Sequence, residues 1–248
     1  MSIQSIERVN VLNIPVDTVT MTDALNYVQY SVEENQLQRY VLAINPEKVM
    51  TLRNNEQLLS AFRKASLLIP DGIGVVMAMK LLFQKNIERV AGADLMQNIC
   101  ALAAKKGYGI FIYGSKEEVN RTAAVKLMER YPGIRIMGRS HGYVSENDMT
   151  NLEREINESG ADILFVALGS PMQENWIKTH LPKLNVKICQ GIGGTLDTIA
   201  GNVKRAPVVF QKVGLEWFYR LLTDPRRIRR QMVLPKFALE VMREKYSG

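Results

Sequence analysis

Residues 163–170 read Ile-Leu-Phe-Val-Ala-Leu-Gly-Ser, a run of six apolar residues that ends in a turn. A short, continuously apolar run of this kind is typical of a strand buried on both faces of a parallel sheet. Similar apolar runs, each ending in turn residues, occur four more times along the chain. These runs begin at Tyr40, Leu67, Gly109 and Val186.

Helix-length segments with apolar residues spaced three and four apart separate these runs. They cover residues 22–34, 46–64, 92–105, 117–130 and 146–159. This alternation predicts an α/β fold with a Rossmann-like, mainly parallel sheet flanked by helices. In such a sheet, ligands bind beyond the carboxyl ends of the strands, where the Gly, Asp, Asn and Gln residues of these runs collect.

The positive charge of the chain is concentrated near its C-terminal end. Residues 1–201 carry 21 Lys and Arg against 21 Asp and Glu, while residues 202–248 carry 11 against 4, so the net charge of +7 belongs to the last 47 residues. We therefore predict a core at 1–201 and a basic, aromatic, helical appendage at 202–248, with helices at 208–222 and 225–244. Interleaved Arg and aromatic residues suit phospholipid headgroups, a pyrophosphate-linked lipid or a nucleic acid; a solvated helix face is the alternative.

The remaining composition is that of an ordinary globular protein, with 46% hydrophobic and 23% charged residues. Cys100 and Cys189 lie in separate apolar runs with no His at ligand spacing, which predicts reduced core thiols and no metal site. The N-terminal segment lacks a signal-peptide pattern, and no apolar run reaches the length of about 18 residues needed to cross a bilayer. These features predict a cytoplasmic protein whose contact with a membrane is peripheral.

Three glycine-containing turns are predicted at one edge of the sheet. Gly191, Gly193 and Gly194 precede a helix, and Gly114 and Gly169 follow two other strands. Backbone amides at such turns can approach a phosphate, and a helix N-terminus favours its negative charge; a tight turn without a ligand is the alternative. Three turns together favour a nucleotide-sized ligand. Their spacing fits neither the dinucleotide fingerprint nor a P-loop, which disfavours a dehydrogenase or an NTPase.

Three polar side chains and one Tyr complete the site that the residues themselves suggest. Asp71 follows an apolar strand, where a carboxylate can act as a general base or merely bind turn amides. Arg89 can bind phosphate or pair with an acid nearby in sequence, and Gln173 can orient a sugar or phosphate. Tyr143 can offer an aromatic wall to a base. No Asp-x-Asp motif occurs, so Arg and backbone amides, rather than a metal, would neutralise a diphosphate.

Several blocks of sequence occur in an order that points to a family. They are Ile69-Pro-Asp-Gly-Ile-Gly, Glu88-Arg-Val-Ala-Gly-Ala-Asp-Leu-Met, Ala167-Leu-Gly-Ser-Pro-Met-Gln-Glu-Asn-Trp-Ile, Gly191-Ile-Gly-Gly-Thr-Leu-Asp followed by Gly201-Asn-Val-Lys-Arg-Ala-Pro, and Gly214-Leu-Glu-Trp-Phe-Tyr-Arg-Leu. Together they resemble the WecG/TagA/CpsF family of bacterial glycosyltransferases over nearly the whole chain. Members transfer a sugar, typically N-acetylmannosamine (ManNAc) from its UDP donor, to undecaprenyl-diphosphate-linked N-acetylglucosamine (GlcNAc) at the cytoplasmic face of the membrane.

The resemblance also implies residue roles in an inverting, metal-independent transfer that uses no cofactor. Asp71 looks like the general base on the acceptor hydroxyl, with Arg89, Gln173 and Asn45 in the active site. Two further residues look like contacts to the uridine of the donor, beside the glycine turns, and three appendage arginines look suited to neutralise the departing diphosphate. The uridine contacts are Tyr143 and Asp197, and the arginines are Arg220, Arg227 and Arg230.

The function implied by the resemblance is transfer of ManNAc from UDP-ManNAc to undecaprenyl-diphosphate-linked GlcNAc, for a cell-surface polymer of the teichoic acid linkage-unit type. Another donor, such as UDP-glucose or UDP-N-acetylmannosaminuronic acid, stays open, as does a non-catalytic scaffold that binds a UDP-sugar or lipid. The neutral core with its glycine turns argues against a nucleic-acid-binding protein. An exposed apolar face on the appendage can also pack against a second subunit, which leaves a homo-oligomer open.

Overall fold

A six-stranded parallel sheet forms the centre of the protein in the computed structural model, which describes residues 6–35, 37–207, 210, 216–223 and 232–247. The strands are β1 (Arg8–Val11) and β2 (Ile14–Asp17), which form an antiparallel hairpin, and then β3 (Arg39–Ile44), β4 (Leu67–Pro70), β5 (Gly109–Gly114), β6 (Arg135–Ser140), β7 (Ile163–Ala167) and β8 (Ile188–Gly191). The order across the main sheet is β4-β3-β8-β7-β5-β6, and every neighbouring pair is parallel. The predicted α/β class and mainly parallel sheet are confirmed.

Helices cover both faces of this sheet. They are α1 (Met21–Glu33), α2 (Pro46–Leu52), α3 (Glu56–Arg63), α4 (Ile73–Phe83), α5 (Gly92–Lys106), α6 (Glu117–Arg130), α7 (Met149–Glu158), α8 (Met172–His180), α9 (Thr195–Ala200), α10 (Glu216–Thr223) and α11 (Val233–Ser247). Residues of α1, α5, α6 and α9 pack into the core on one face, and residues of α2, α3, α4, α7, α8 and α11 pack into the core on the other.

Strand β7 shows why its sequence is apolar without alternation. Ile163 and Phe165 belong to one core cluster, and Leu164 and Val166 belong to the cluster on the opposite face. Successive side chains of a strand point to opposite faces, so a strand covered by helices on both sides must be apolar throughout. The strand at 163–167 therefore lies between two hydrophobic layers, one on each face of the sheet.

The prediction of one continuous helix at 46–64 is wrong, because the segment folds as two helices, α2 and α3. Asn55 caps the second helix: its side-chain Oδ1 accepts a hydrogen bond from the backbone N–H of Leu58 at 2.9 Å. Asn favours a helix cap over a helix interior because its side chain competes for backbone hydrogen bonds. The chain therefore turns at residues 53–55 and starts a new helix.

Three other elements escape prediction from the sequence. The β1–β2 hairpin is short and precedes the first predicted helix, and β6 is an edge strand whose apolar residues are interrupted by Gly138 and Arg139. Helix α4 reads Ile-Gly-Val-Val-Met-Ala-Met-Lys-Leu-Leu-Phe, and it lacks the polar stripe that marks an amphipathic helix. Each element therefore lacks the periodic signal on which the other assignments depend.

The C-terminal helix α11 packs on the core beside α2 and α4. Phe237 and Val241 are both 4% exposed and belong to the same core cluster as α2 and α4. Arg53, at the end of α2, donates from its guanidinium to Glu240 Oε2 at 3.0 Å. The helical character predicted for the C-terminal region is confirmed at α10 and α11, while residues 208–209, 211–215 and 224–231 lie outside the described part of the chain. The domain boundary near residue 201 stays a prediction.

Among the described residues, no helix combines the length and apolar character needed to cross a membrane.

Candidate active site

The residues predicted for the site follow the carboxyl ends of the sheet strands. Carboxyl ends of parallel strands lie on the same edge of a sheet, so these residues share one side of the protein. Asn45 follows β3, Asp71 follows β4, Gly114 ends β5, Tyr143 lies in the loop after β6, Gly169 follows β7, and Gly193 and Gly194 follow β8. The structure thus brings the predicted residues to one edge. A first group surrounds Asp71 and Arg89, and a second surrounds Gln173 and the glycine turn after β8.

Asp71 and Arg89 form the centre of the first group. Arg89 Nη2 lies 3.2 Å from Asp71 Oδ1 and 3.2 Å from Glu216 Oε2. The other carboxylate oxygen of Asp71, Oδ2, accepts a hydrogen bond from the backbone N–H of Gly92 at 3.2 Å, at the start of α5. The carboxylate is therefore oriented from two sides, and its side chain remains 24% exposed.

The charge of Arg89 is stabilised by the two acids that it contacts. Burial disfavours the guanidinium, but the negative charges of Asp71 and Glu216 outweigh that effect and raise the pKa of Arg89 above its ordinary value. The nearby acids considered as partners from the sequence were Glu88 and Asp94. In the structure Glu88 accepts a hydrogen bond from the backbone N–H of Met21, and Asp94 accepts one from Arg205. Arg89 therefore carries a permanent positive charge beside the Asp71 carboxylate.

Glu216 is a site residue that the sequence analysis missed. Its side chain is 7% exposed, and it comes to Arg89 from α10, which begins at this residue. The acid stands between Leu215 and Trp217 in an apolar and aromatic segment. This position could have identified Glu216 from the sequence, because an acid in an apolar segment is buried only when it has a charged or hydrogen-bonding partner.

Two glycines let the Asp71 turn approach helix α2 closely. A Cβ atom at Gly72 would lie 3.1 Å from Pro46 Cδ, and one at Gly74 would lie 2.8 Å from Pro46 Cγ. Asn45 caps α2, and its side-chain Oδ1 accepts from the backbone N–H of Lys48 at 2.9 Å. The close approach places Asn45 and Asp71 in the lining of one cavity.

This cavity has a volume of about 850 Å³, and its lining combines polar and charged side chains with apolar ones. The polar and charged lining residues are Asn45, Glu47, Asp71, Lys80, Arg89, Arg205, Glu216 and Lys245. The apolar lining residues come mainly from α4 and α11; they include Ile73, Met77, Leu81, Leu234, Phe237 and Val241. The arrangement can hold a molecule that joins a polar head to an apolar chain.

Gln173 belongs to the second group, and it lies behind the glycine turn rather than in the cavity lining. It is 4% exposed; its side-chain Oε1 accepts from the backbone N–H of Gly193 at 2.9 Å, and its Nε2 donates to Glu174 Oε1 at 3.2 Å. A Cβ atom at Gly191 would lie 3.0 Å from Gln173 Nε2, so a larger residue there would displace the amide. Gln173 thus fixes the shape of the turn after β8, and its predicted role in catalysis stays a prediction.

A buried ion pair connects the two groups. Glu174 is fully buried, and its Oε1 accepts from Lys48 Nζ, which comes from α2, as well as from Gln173. Glu174 therefore lies between the helix that Asn45 caps and the amide that holds the turn at Gly193.

The remaining glycine turns and their neighbours lie outside the cavity lining. Gly114 has φ 113°, and a Cβ atom there would lie 2.6 Å from the carbonyl oxygen of Ala167, so β5 and β7 need a glycine at this point. Tyr143 is 71% exposed, as an aromatic wall for a ligand would be. Gly194 immediately precedes α9, and Asp197 lies half-buried within that helix. Their predicted contacts with a nucleotide stay predictions.

The structure describes only one of the three predicted appendage arginines, and only its backbone. Arg220 lies in α10, where the structure describes the backbone but not this side chain. Arg227 and Arg230 lie outside the described residues.

Neither cysteine has the properties of a reactive thiol. Both are buried in the core, without a disulfide, as predicted. Burial raises the pKa of Cys100 to about 12, and it raises the pKa of Cys189 as well. In the part of the chain that the structure describes, no three His, Cys, Asp or Glu side chains gather in a way that could hold a metal ion.

Comparison with known proteins connects this geometry to a family. The family model described as "Glycosyl transferase WecG/TagA/CpsF family" matches residues 9–248. A protein of Bacillus subtilis (strain 168), named N-acetylglucosaminyldiphosphoundecaprenol N-acetyl-beta-D-mannosaminyltransferase, is 34% identical over 232 residues, which cover 94% of this chain and 90% of the relative. The family match extends over the strands of the sheet and over the C-terminal helices that line the cavity.

Proposed function

The chain belongs to the WecG/TagA/CpsF family of glycosyltransferases and is a hexosyltransferase, and on that premise we propose that it transfers ManNAc from UDP-ManNAc to GlcNAc-diphosphoundecaprenol. The name of the B. subtilis relative supports this acceptor and this sugar. The observation that carries the proposal is the position of Asp71, an oriented carboxylate in the lining of a cavity that also has many apolar lining residues. A lipid-linked sugar has the same two-part character.

In the proposed mechanism, Asp71 removes the proton from the acceptor hydroxyl as the hydroxyl oxygen attacks the anomeric carbon of the donor sugar. The attack comes from the face opposite the diphosphate, so the bond from the anomeric carbon to the diphosphate oxygen breaks, UDP leaves with the electron pair, and the configuration inverts. Arg89 and the Gly92 amide hold the carboxylate in position for this step.

Positive side chains and backbone amides would balance the charge that develops on the departing UDP. The glycine turns after β5, β7 and β8 offer such amides at the carboxyl edge of the sheet. Tyr143 and Asp197, the predicted contacts to the uridine, follow β6 and β8 at the same edge. The arginines of the C-terminal segment supply positive charge in this scheme. The reaction then proceeds without a metal ion.

UDP release tests the reaction, the donor and the metal together. We expect release from UDP-ManNAc in EDTA, and only when a lipid-diphosphate-linked GlcNAc acceptor is present, because Asp71 needs a hydroxyl to deprotonate. The control donors are UDP-glucose and UDP-N-acetylmannosaminuronic acid. Release from a control donor but not from UDP-ManNAc would contradict the proposed sugar, dependence on added Mg²⁺ would contradict the metal-free mechanism, and no release from any donor would contradict the function. NMR of the product then shows whether the anomeric configuration has inverted.

Replacing Arg220, Arg227 and Arg230 together by Ala should reduce both activity and binding to anionic vesicles. Each basic residue near an anionic surface contributes about 1 kcal/mol, so three substitutions should weaken vesicle binding by about 100-fold at low ionic strength. Vesicle sedimentation measures the binding. The matched control replaces three basic residues of the core, Lys105, Lys106 and Arg130, by Ala. Equal losses in both variants would attribute the binding to overall charge rather than to the C-terminal segment.

A further inference from the structure

Arg205 is a cavity residue for which neither the sequence patterns nor the proposed mechanism supplies a role. It lies in the segment after α9 and lines the same cavity as Asp71 and Arg89. Its side chain is 24% exposed, so the guanidinium is largely, but not fully, withdrawn from solvent. A largely buried cation that borders a cavity points to an anionic ligand.

The hydrogen bonds of Arg205 leave part of its guanidinium unused. Its Nη2 lies 2.6 Å and 2.7 Å from the two carboxylate oxygens of Asp94, an acid in the first turn of α5. Its Nε is buried and has no hydrogen-bond partner among the described residues, and the same is true of Arg89 Nε. Buried N–H groups without a partner are rare in proteins, because the loss of water is not compensated. The protein thus leaves part of the donor capacity of both guanidinium groups unused, and both residues line the cavity, where a guanidinium suits a ligand rich in acceptor oxygens.

The charges around the cavity suit such a ligand. Among the described residues, the cationic side chains in the lining are Lys80, Arg89, Arg205 and Lys245. The acidic ones are Glu47, Asp71 and Glu216. Cations in the lining exceed the acids by one, Asp94 outside the lining being the counter-charge of Arg205. The planar guanidinium groups of two of these cations match the geometry of phosphate oxygens.

The position of Arg205 also indicates which phosphate it binds. The cavity that it borders has apolar walls from Met77, Leu234 and Val241, and its lining includes none of the glycine turns predicted for the nucleotide. A phosphate at this point would therefore be attached to an apolar carrier. We propose that Arg205, together with Arg89, binds the diphosphate of a polyprenyl-diphosphate acceptor, and that Asp94 holds Arg205 in the absence of the acceptor. This assignment rests on the proposed function and adds a binding residue to it.

Calorimetric binding to the full-length protein tests the assignment without any transfer step. The probes are farnesyl diphosphate, a short prenyl diphosphate, and UDP. We expect Arg205→Met to weaken farnesyl diphosphate binding by about 10- to 100-fold and to leave UDP binding within about 2-fold, because a hydrogen-bonded charge pair with phosphate is lost only on the acceptor side. Arg205→Lys should retain part of the affinity, since it keeps the charge but loses the planar fork.

Asp94→Asn is the matched control, because it removes the same ion pair and keeps the guanidinium. We expect it to bind farnesyl diphosphate at least as well as the wild-type protein. Three results would overturn the proposal: no binding of farnesyl diphosphate to the wild type, an equal loss of UDP affinity in Arg205→Met, or an equal loss of farnesyl diphosphate affinity in Asp94→Asn. Binding is measured apart from transfer, so a failure of the proposed enzymatic function would show in the UDP-release assay and not here.

Discussion

Replacing Asp71 by Asn is expected to slow sugar transfer by about 10²–10⁴-fold, the usual contribution of a general base. Asn keeps the shape of the side chain and one oxygen that can accept from the Gly92 amide or from Arg89. It cannot take the proton of the acceptor hydroxyl. The rate constant for transfer should therefore fall while UDP still binds, which turnover and calorimetric measurements together can establish.

Glu216→Gln is the matched control for this variant. Glu216 lies at the same distance from Arg89 Nη2 as Asp71 does, 3.2 Å, so each substitution removes one counter-charge of Arg89. Only the Asp71 variant also removes the proposed base. We expect Glu216→Gln to lose much less activity. Near-normal turnover of Asp71→Asn would exclude Asp71 as the base, and equal losses in the two variants would attribute the effect to Arg89.

Lys48→Met should cause the largest loss of stability. It leaves the Glu174 carboxylate, which is fully buried, without the cation that now neutralises it. Breaking a buried ion pair on one side costs about 3–5 kcal/mol of unfolding free energy, which corresponds to a fall in Tm of about 6–20 °C for a chain of this size. Urea and thermal unfolding measure both quantities. The Gln173 amide shares the same carboxylate oxygen, so the turn at Gly193 should also lose order.

Lys178→Met provides the control for Lys48→Met. Lys178 is an exposed lysine whose Nζ donates to Ser60 Oγ at 2.8 Å, and its loss should change the unfolding free energy by less than about 1 kcal/mol. The double variant Lys48→Met/Glu174→Leu should recover much of the stability, because well-packed apolar residues replace buried ion pairs at little cost. A double variant no more stable than Lys48→Met alone would show that the unpaired carboxylate is not the cause.

The parts of the fold that sequence predicts are those with a strong local signal. The run at 163–170 is apolar because helices cover both faces of β7, and the turn residue after each predicted strand marks the edge that carries Asn45 and Asp71. Helix α4 is missed because it is almost entirely apolar and therefore shows no helical stripe. Local composition thus predicts the sheet and the edge of the site.

The pairings within the site depend instead on the complete fold. Arg89 meets Glu216 across 127 positions of sequence, and Arg205 meets Asp94 across 111. No local pattern selects these partners, because many acids lie at comparable separations. The inward direction of Gln173 likewise depends on β8 ending beside α8. Residue types at the edge were predictable, and their contacts were not.

The tight contact between Gly74 and Pro46 has a consequence for how this site can vary in evolution. A side chain at position 74 would overlap the rigid proline ring, whose Cγ would lie 2.8 Å from the new Cβ. Loss of the glycine is therefore tolerable only in a lineage that has already replaced the proline by a residue that can yield. The two positions, 28 residues apart in the sequence, are expected to change as a pair, with the order of the two substitutions fixed by steric overlap.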